Sequence, residues 1–315
     1  MTAVAAGQSG NPTHGPSSAV TIVNASRQQR PAPVSAARTQ ADAPRRSTPA
    51  PSKTGAVVKL FGHCSACNLH AVCLPAGLSA SADQRLDHAI TAHRRLKHGQ
   101  VLYRAGDRFE NIYAVRGGFF KTTVLSEDGR EQVTGFQMAG DLLGFDGLST
   151  DHHTSDAVAL DLSEVCVIPY AGLQQALRDS EELQCHFCKL LGTEIVRDQE
   201  VMLLLGTMSA DERVAAFLLN LSHRLVARGY SPAEFQLRMT RKDIGSYLGL
   251  KLETVSRTFS RLHELALVDA ERRHIRILDS HGLTGIVGHH APVLRRHAKA
   301  GIVLPESPQA PVVGR

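Results

Sequence analysis

The segment 240–257 constrains this chain more than any other. Ile244 and Leu248 stand four apart, as on one face of a short helix, and Gly249 supplies a turn. Leu250 can fill the angle behind that turn, and Val255, Phe259 and Leu262 line the inner face of a second helix. This is the spacing of a helix-turn-helix. Thr240 is placed to cap the first helix, with Asp243 at the third helical position. The outer face of the second helix carries Glu253, Ser256, Arg257 and Arg261. Arginine pairs bidentately with guanine, glutamate accepts from cytosine N4, and serine reaches several base edges. Residues 267–270 and 274–278 flank Glu271-Arg272-Arg273, which reads as a β-hairpin wing with Arg273 for phosphate.

Charge agrees once it is located. The net charge is +5, but residues 1–55 hold six Lys/Arg against the single acid Asp42, so the remainder sums to zero. Within that neutral body, residues 238–276 carry nine Lys/Arg and five Asp/Glu. A local basic patch is the electrostatic footprint of a double-strand binder. Trp is absent and aromatics are 5%, which argues against a stacking platform for single strands.

Upstream, the periodicity predicts a helix over 181–208. Cys188, Leu191, Ile195, Asp198, Met202 and Leu205 follow a 3, 4, 3, 4, 3 spacing, the a/d seam of a two-stranded coiled coil. Asp198 is the one acid on it. In a homodimer it faces its own copy, and two carboxylates ~5 Å apart at an effective dielectric near 20 repel by about 3 kcal/mol. Such a dimer is conditional. A further amphipathic helix follows at 211–227, closed by Gly229.

Between residues 97 and 170 the texture is β. Runs at 101–104, 111–116, 119–125, 132–138 and 164–168 are cut by Gly106-Asp107, Gly117-Gly118, Asp128-Gly129 and Gly140-Asp141. Short strands at this spacing, without alternating helices, predict a sandwich or barrel rather than a doubly wound sheet.

The cysteines carry the chemistry. Cys64-x2-Cys67-x5-Cys73, followed by Leu74-Pro75, brings three thiols within ten residues. A tetrahedral zinc or a four-iron cluster needs one more ligand. Spacing leaves Cys166, Cys185, Cys188, His63 and His70 all open for that place. Cys185 and Cys188 lie one turn apart on the long helix and are expected to be packing residues. The dinucleotide and P-loop glycine motifs are absent, and His152-His153 is too small a set for a metal oxygenase, so the chain does not read as an enzyme. No apolar run approaches membrane-spanning length, and no export signal is seen, so the expected location is the cytoplasm.

The order of cysteine triplet, small barrel, long helix and winged helix-turn-helix resembles the FNR oxygen-sensing regulators of the catabolite-activator superfamily. The resemblance spans about 60–285. It rests on the triplet with Leu-Pro, Gly135-Phe136, the run 140–146, Cys166-Val-Ile-Pro, Asp198-Gln199, and Glu253-Thr-Val-Ser256-Arg257. It implies an α+β chain: a cyclic-nucleotide-binding-like jelly-roll barrel, a dimerisation helix and a C-terminal winged helix-turn-helix. It implies Cys64, Cys67, Cys73 and Cys166 as ligands of an oxygen-labile [4Fe-4S] cluster. It implies Ile195 and Asp198 as the dimer switch, and Glu253, Ser256 and Arg257 as readers of TTGAT half-sites in a palindrome. It also places an RNA polymerase contact at 126–132. The long N-terminal tail and the Cys185/Cys188 pair depart from the pattern.

The expected organisation is therefore a disordered tail (1–55), a cysteine-rich cluster segment (56–80), a sensory barrel (81–180), the dimerisation helix (181–208), the DNA-binding domain (209–290) and a loose C-terminal tail (291–315). The expected function is a homodimeric transcriptional regulator of the aerobic/anaerobic switch. A rival is a regulator responding to a nucleotide or other small molecule, with a structural zinc at the triplet. The stretch 152–157 lacks the arginine that would hold a cyclic phosphate.

Overall fold

The computed structural model describes residues 57–58 and 64–288. The two expected tails, 1–55 and 291–315, lie outside the described residues, as does His63.

The β region forms two antiparallel sheets facing each other. One contains β1 (Val57–Val58), β2 (Ala92–Leu96), β9 (Ser163–Pro169), β4 (Asn111–Gly117) and β7 (Leu142–Leu143), in that spatial order. The other contains β3 (Val101–Tyr103), β8 (Asp156–Ala159), β5 (Phe119–Leu125) and β6 (Glu131–Met138). Leu102, Tyr113, Val115, Phe120, Leu143 and Val165 fill the space between them. The expected barrel is present, with β2 (Ala92–Leu96), which the β texture starting near 97 did not include, as one of its strands and the distant β1 paired to it. Strand β2 is rich in charge, with His93, Arg94 and Arg95, so its sequence lacks the apolar alternation that reveals a strand.

Helix α1 (Ala80–Ala89) precedes the barrel, and α2 (Tyr170–Arg178) follows it. The long helix α3 runs over Glu181–Thr207, with Ser180 capping its first turn, in agreement with the periodicity. Leu74, Leu86, Ile112, Ala114, Ile168, Leu173 and Phe187 form one core, joined at its edge by Cys73, Cys166, Leu190 and Leu191. The cysteine segment, the barrel and the first half of α3 thus share a single apolar cluster.

Helix α4 (Ala210–Val226) opens the C-terminal part with a full capping box at Ser209 and Glu212. It is followed by β10 (Glu234–Gln236), α5 (Arg241–Leu248), α6 (Leu252–Glu264), β11 (Val268–Glu271), β12 (His274–Ile277) and α7 (Ser280–Val287). The wing is a three-stranded sheet in the order β10-β12-β11. Val133, Phe136 and Met138 of β6 belong to the same core as α4, α5 and α6.

Polar contacts reinforce that junction. The Val133 N–H donates to Ser246 Oγ at 2.8 Å, and Ser246 Oγ donates to the Glu131 carbonyl at 3.2 Å. Lys121 reaches Asp243 Oδ1 at 2.9 Å and Glu131 Oε1 at 3.0 Å. Ser246→Ala leaves the Val133 N–H without its acceptor, which costs about 1–2 kcal/mol. Thermal unfolding of the variant is expected to begin several degrees lower; an unchanged transition would mean that this bond contributes nothing to the junction.

Candidate metal centre and nucleic-acid interface

Residues 64–73 fold as two short 3-10 turns, Cys64–Ala66 and His70–Val72, and this folding back lets three cysteines so close in sequence line one cavity. Gly140 makes the approach feasible. Its φ is +94°, and a Cβ there would sit 2.6 Å from the Val72 carbonyl oxygen. The backbone next to Cys73 therefore lies directly on the β6–β7 turn.

Cys64, Cys67, Cys73 and Cys166 line one cavity of about 80 Å³. Cys166 reaches it from β9, where it pairs with His93 of β2 and Ala114 of β4. His70, Leu74, Ile90, His93 and Arg116 complete the wall. Burial pushes the Cys73 thiol up to about 12 and the Cys166 thiol up to about 11. Cys64 is pushed up by burial and then by Asp87 beside it. These thiols resist ionising alone. A cation in the cavity inverts that preference, since a coordinating thiol is deprotonated outright. Four cysteines lining one cavity, without three of their sulfurs lying within 4.8 Å of one another, supply the donor set of a cubane iron–sulfur cluster rather than of a single tetrahedral ion. The residues present therefore fit such a group.

Cys185 and Cys188 stand apart from this cavity. Both are exposed, which corrects the expectation that they serve as packing. The buried face of α3 is set instead by Leu183, Phe187 and Leu204.

The cavity is tied to α3 by specific bonds. His186 donates from Nε2 to the Leu74 carbonyl at 2.8 Å. Glu182 accepts from the Ser79 N–H at 2.7 Å and from Ser79 Oγ at 2.6 Å. Phe187 meets Phe145 with ring centroids 5.9 Å apart. Further along, Arg197 of α3, Arg224 of α4 and Arg228 just beyond the end of α4 surround Asp141, with Arg228 at 2.8 Å and Arg197 at 3.8 Å. Burial alone would raise the Asp141 carboxyl; the three guanidinium groups hold it well below the usual carboxylate range. One buried carboxylate in the barrel thus fastens both helices.

The heptad stripe faces outward. Ile195 is 58% exposed and Met202 69%, and Cys188 and Asp198 are also exposed, while Leu191 and Leu205 are half-buried. A single chain leaves this apolar line uncovered. Although Asp198 is exposed overall, partial desolvation against its neighbours pushes its carboxyl above the usual value, and adjacent Arg197 counters only part of the effect.

In the C-terminal part, Thr240 and Asp243 form a reciprocal capping box. Gly249 takes a left-handed φ of +63°, the turn the spacing required. Val255, Thr258, Phe259 and Leu262 are buried on the inner face of α6, while Glu253, Ser256 and Arg257 are exposed. Arg261 is exposed but forms an ion pair with Asp211 of α4 at 2.8 Å, a tether the spacing did not reveal. Arg273 is exposed in the wing turn, next to Arg272 at φ +55°. Arg241, unremarked in the sequence, lies over the Phe259 ring at 3.2 Å, and burial lowers its guanidinium to about 10.

Comparison with known proteins agrees with this arrangement. Residues 93–180 match the cyclic nucleotide-binding domain, and residues 212–286 match the Crp-like helix-turn-helix domain. The chain is 41% identical over 227 residues to the fumarate and nitrate reduction regulatory protein of Salmonella typhimurium, covering 72% of this chain and 91% of that protein. It is 42% identical over 226 residues to the transcriptional activator protein Anr of Pseudomonas protegens, covering 72% and 93%. Among solved structures, FixK2 from Bradyrhizobium japonicum superposes with a TM-score of 0.58 at 30% identity, covering 62% of this chain and 96% of that one.

Proposed function

The chain belongs to the family of the fumarate and nitrate reduction regulatory proteins, the FNR regulators, and from that membership we propose that it is a DNA-binding transcriptional regulator whose dimerisation and promoter binding are gated by an oxygen-labile [4Fe-4S] cluster. It controls the switch between aerobic and anaerobic gene expression. The observation that carries the reading is the single cavity lined by Cys64, Cys67, Cys73 and Cys166 against the core that holds α3.

When bound, the cluster supplies iron–thiolate links between the 64–73 segment and β9, together with sensitivity to oxygen. The chain's own residues do the rest. A fixed Cys73-Leu74 backbone presents its carbonyl to His186 and its apolar side chain to the core of Phe187, which sets the first half of α3. The stripe of Ile195, Asp198 and Met202 then meets its copy in a homodimer. Dimerisation sets the separation of two α6 helices at about one DNA turn, so that a palindrome is read. Glu253, Ser256 and Arg257 read base edges of TTGAT-type half-sites, and Arg261 and Arg273 contact the backbone. The 126–132 loop touches RNA polymerase, and the protein acts in the cytoplasm. Among the described residues, no helix is long and apolar enough to cross a membrane.

The test is the colour and iron content of protein purified without air. The expected result is a brown protein with about four iron atoms per chain, as a cubane requires, bleached by oxygen with loss of palindrome binding. A colourless protein that binds its site equally well in air would refute the proposal.

Arg257 and Arg273 separate base reading from backbone contact. Arg257→Ala is expected to weaken specific binding by about 1–3 kcal/mol and relax discrimination at one guanine. Arg273→Ala is expected to weaken all sequences alike and to flatten the salt dependence. Titrations on specific and random DNA at several salt concentrations check both; identical behaviour of the two variants would sink the assignment of base reading to α6.

A further inference from the structure

A cluster of side chains able to ligate a metal lies where Cys64 meets α1. Asp83 and Asp87 stand one turn apart on α1 and present their carboxylates to the same side. The Cys64 sulfur and one oxygen from each carboxylate all lie within 4.8 Å of one another. The Cys64 N–H donates to Asp87 Oδ1, which fixes the segment against the helix.

Asp83 points independently to a ligand. Its side chain is only 8% exposed, a depth at which an aspartate is rare unless it is paired or coordinates a cation. Oδ2 meets His70 Nε2 at 2.9 Å, but Oδ1 is buried with no hydrogen-bond partner among the described residues. A buried carboxylate oxygen without a donor is a costly feature, and a cation removes the cost.

We propose that the cluster-free chain binds a divalent transition-metal ion of the zinc or ferrous class through Cys64, Asp83 and Asp87, with His70 orienting Asp83. A mixed thiolate and carboxylate set suits such borderline ions. Bond lengths of ~2.0–2.3 Å place neighbouring ligand atoms of a tetrahedral ion ~3.5 Å apart. The observed separations, up to 4.8 Å, are wider than that, so binding draws the three ligand atoms inward by about an ångström. The His70–Asp83 bond is the outer-shell support that fixes a ligating carboxylate. Because Cys64 belongs both to this site and to the proposed cluster, ion and cluster exclude each other there. The ion would hold Cys64 away from the other three thiols until it is displaced.

The test uses full-length, reduced, cluster-free protein titrated with Co²⁺ as the probe. The expected result is tetrahedral d–d bands with a thiolate-to-cobalt charge-transfer band, displaced by Zn²⁺. Binding is lost in Cys64→Ser and weakened more than about tenfold in Asp83→Asn and in Asp87→Asn, while His70→Ala weakens it about tenfold. Cys67→Ser and Cys166→Ser keep it. Cluster assembly follows a different pattern, surviving in Asp83→Asn and failing in Cys166→Ser. The near-isosteric Asp87→Asn gives a second reading should Asp83→Asn disturb the core. Absence of the bands, bands unchanged in both aspartate variants, or bands lost in Cys67→Ser and Cys166→Ser would overturn the proposal, the last by placing the ion among the four thiols. If the wild type never forms a cluster yet shows this cobalt pattern, the ion site stands and the cluster reading fails.

Discussion

Asp198→Ala is expected to give a dimer that survives air. The argument rests on a stripe whose apolar members Ile195 and Met202 are exposed in the single chain, with Asp198 among them. In a symmetric pair the two Asp198 carboxylates oppose each other. Removing them deletes that repulsion and adds an apolar contact in each chain, together about 2–4 kcal/mol. That is a factor of ~30 or more in the association constant, because ~1.4 kcal/mol is tenfold. Ile195→Glu should do the reverse and leave a monomer even with the cluster intact. Sedimentation of both variants with and without oxygen decides the matter. An Asp198→Ala protein that still dissociates in air would mean that α3 is not the switch.

The same carboxylate gives a pH dependence whose sign is fixed. Partial desolvation already pushes Asp198 upward in the single chain, and an opposing carboxylate pushes it further in the dimer. The dimer therefore binds more protons than two monomers. Association of cluster-free protein should strengthen as pH falls from neutral toward the carboxylate range, and Asp198→Ala should abolish the trend.

Cys166→Ser is expected to abolish cluster assembly completely, as are Cys64→Ser, Cys67→Ser and Cys73→Ser, while Cys185→Ser and Cys188→Ser retain it. The first four thiols line one cavity, and the other two are exposed away from it. A serine hydroxyl is a far poorer ligand for iron than a thiolate, which soft-ligand clusters require. Visible absorbance and iron content of protein prepared without air measure the outcome. An intact cluster in Cys166→Ser would remove that residue from the ligand set.

The strands at 119–125 and 132–138, the long helix and the helix-turn-helix were legible because each obeys a local period with strong turn or cap chemistry at its ends. Thr240, Asp243 and Gly249 occupy the roles their spacing implies. The fourth cysteine was not legible from spacing, since β9 brings Cys166 to the cavity from about a hundred residues away, and only the family resemblance singled it out. The same holds for Asp141 with Arg197, Arg224 and Arg228, where no local pattern links a barrel turn to two later helices. Cys188 fell on the apolar stripe, and the stripe proved to be an uncovered face rather than a packed one. Asp83 escaped notice because a single aspartate in the first turn of a helix looks like an ordinary response to the helix dipole.

The hairpin of β5 and β6 has one further consequence. Its base grips α5 through Lys121, Val133 and Ser246, and its tip lies in the 126–132 segment proposed to meet polymerase. On the proposed function, the groove-reading α6, through its neighbour α5, and the proposed polymerase patch are then joined by this hairpin. Such a joint acts as a protractor on the promoter: it fixes the rotational phase between operator and transcription start. Sliding the operator by about 5 bp, half a helical turn, should silence activation while leaving occupancy untouched, and sliding it by a full turn of about 10 bp should restore the phase.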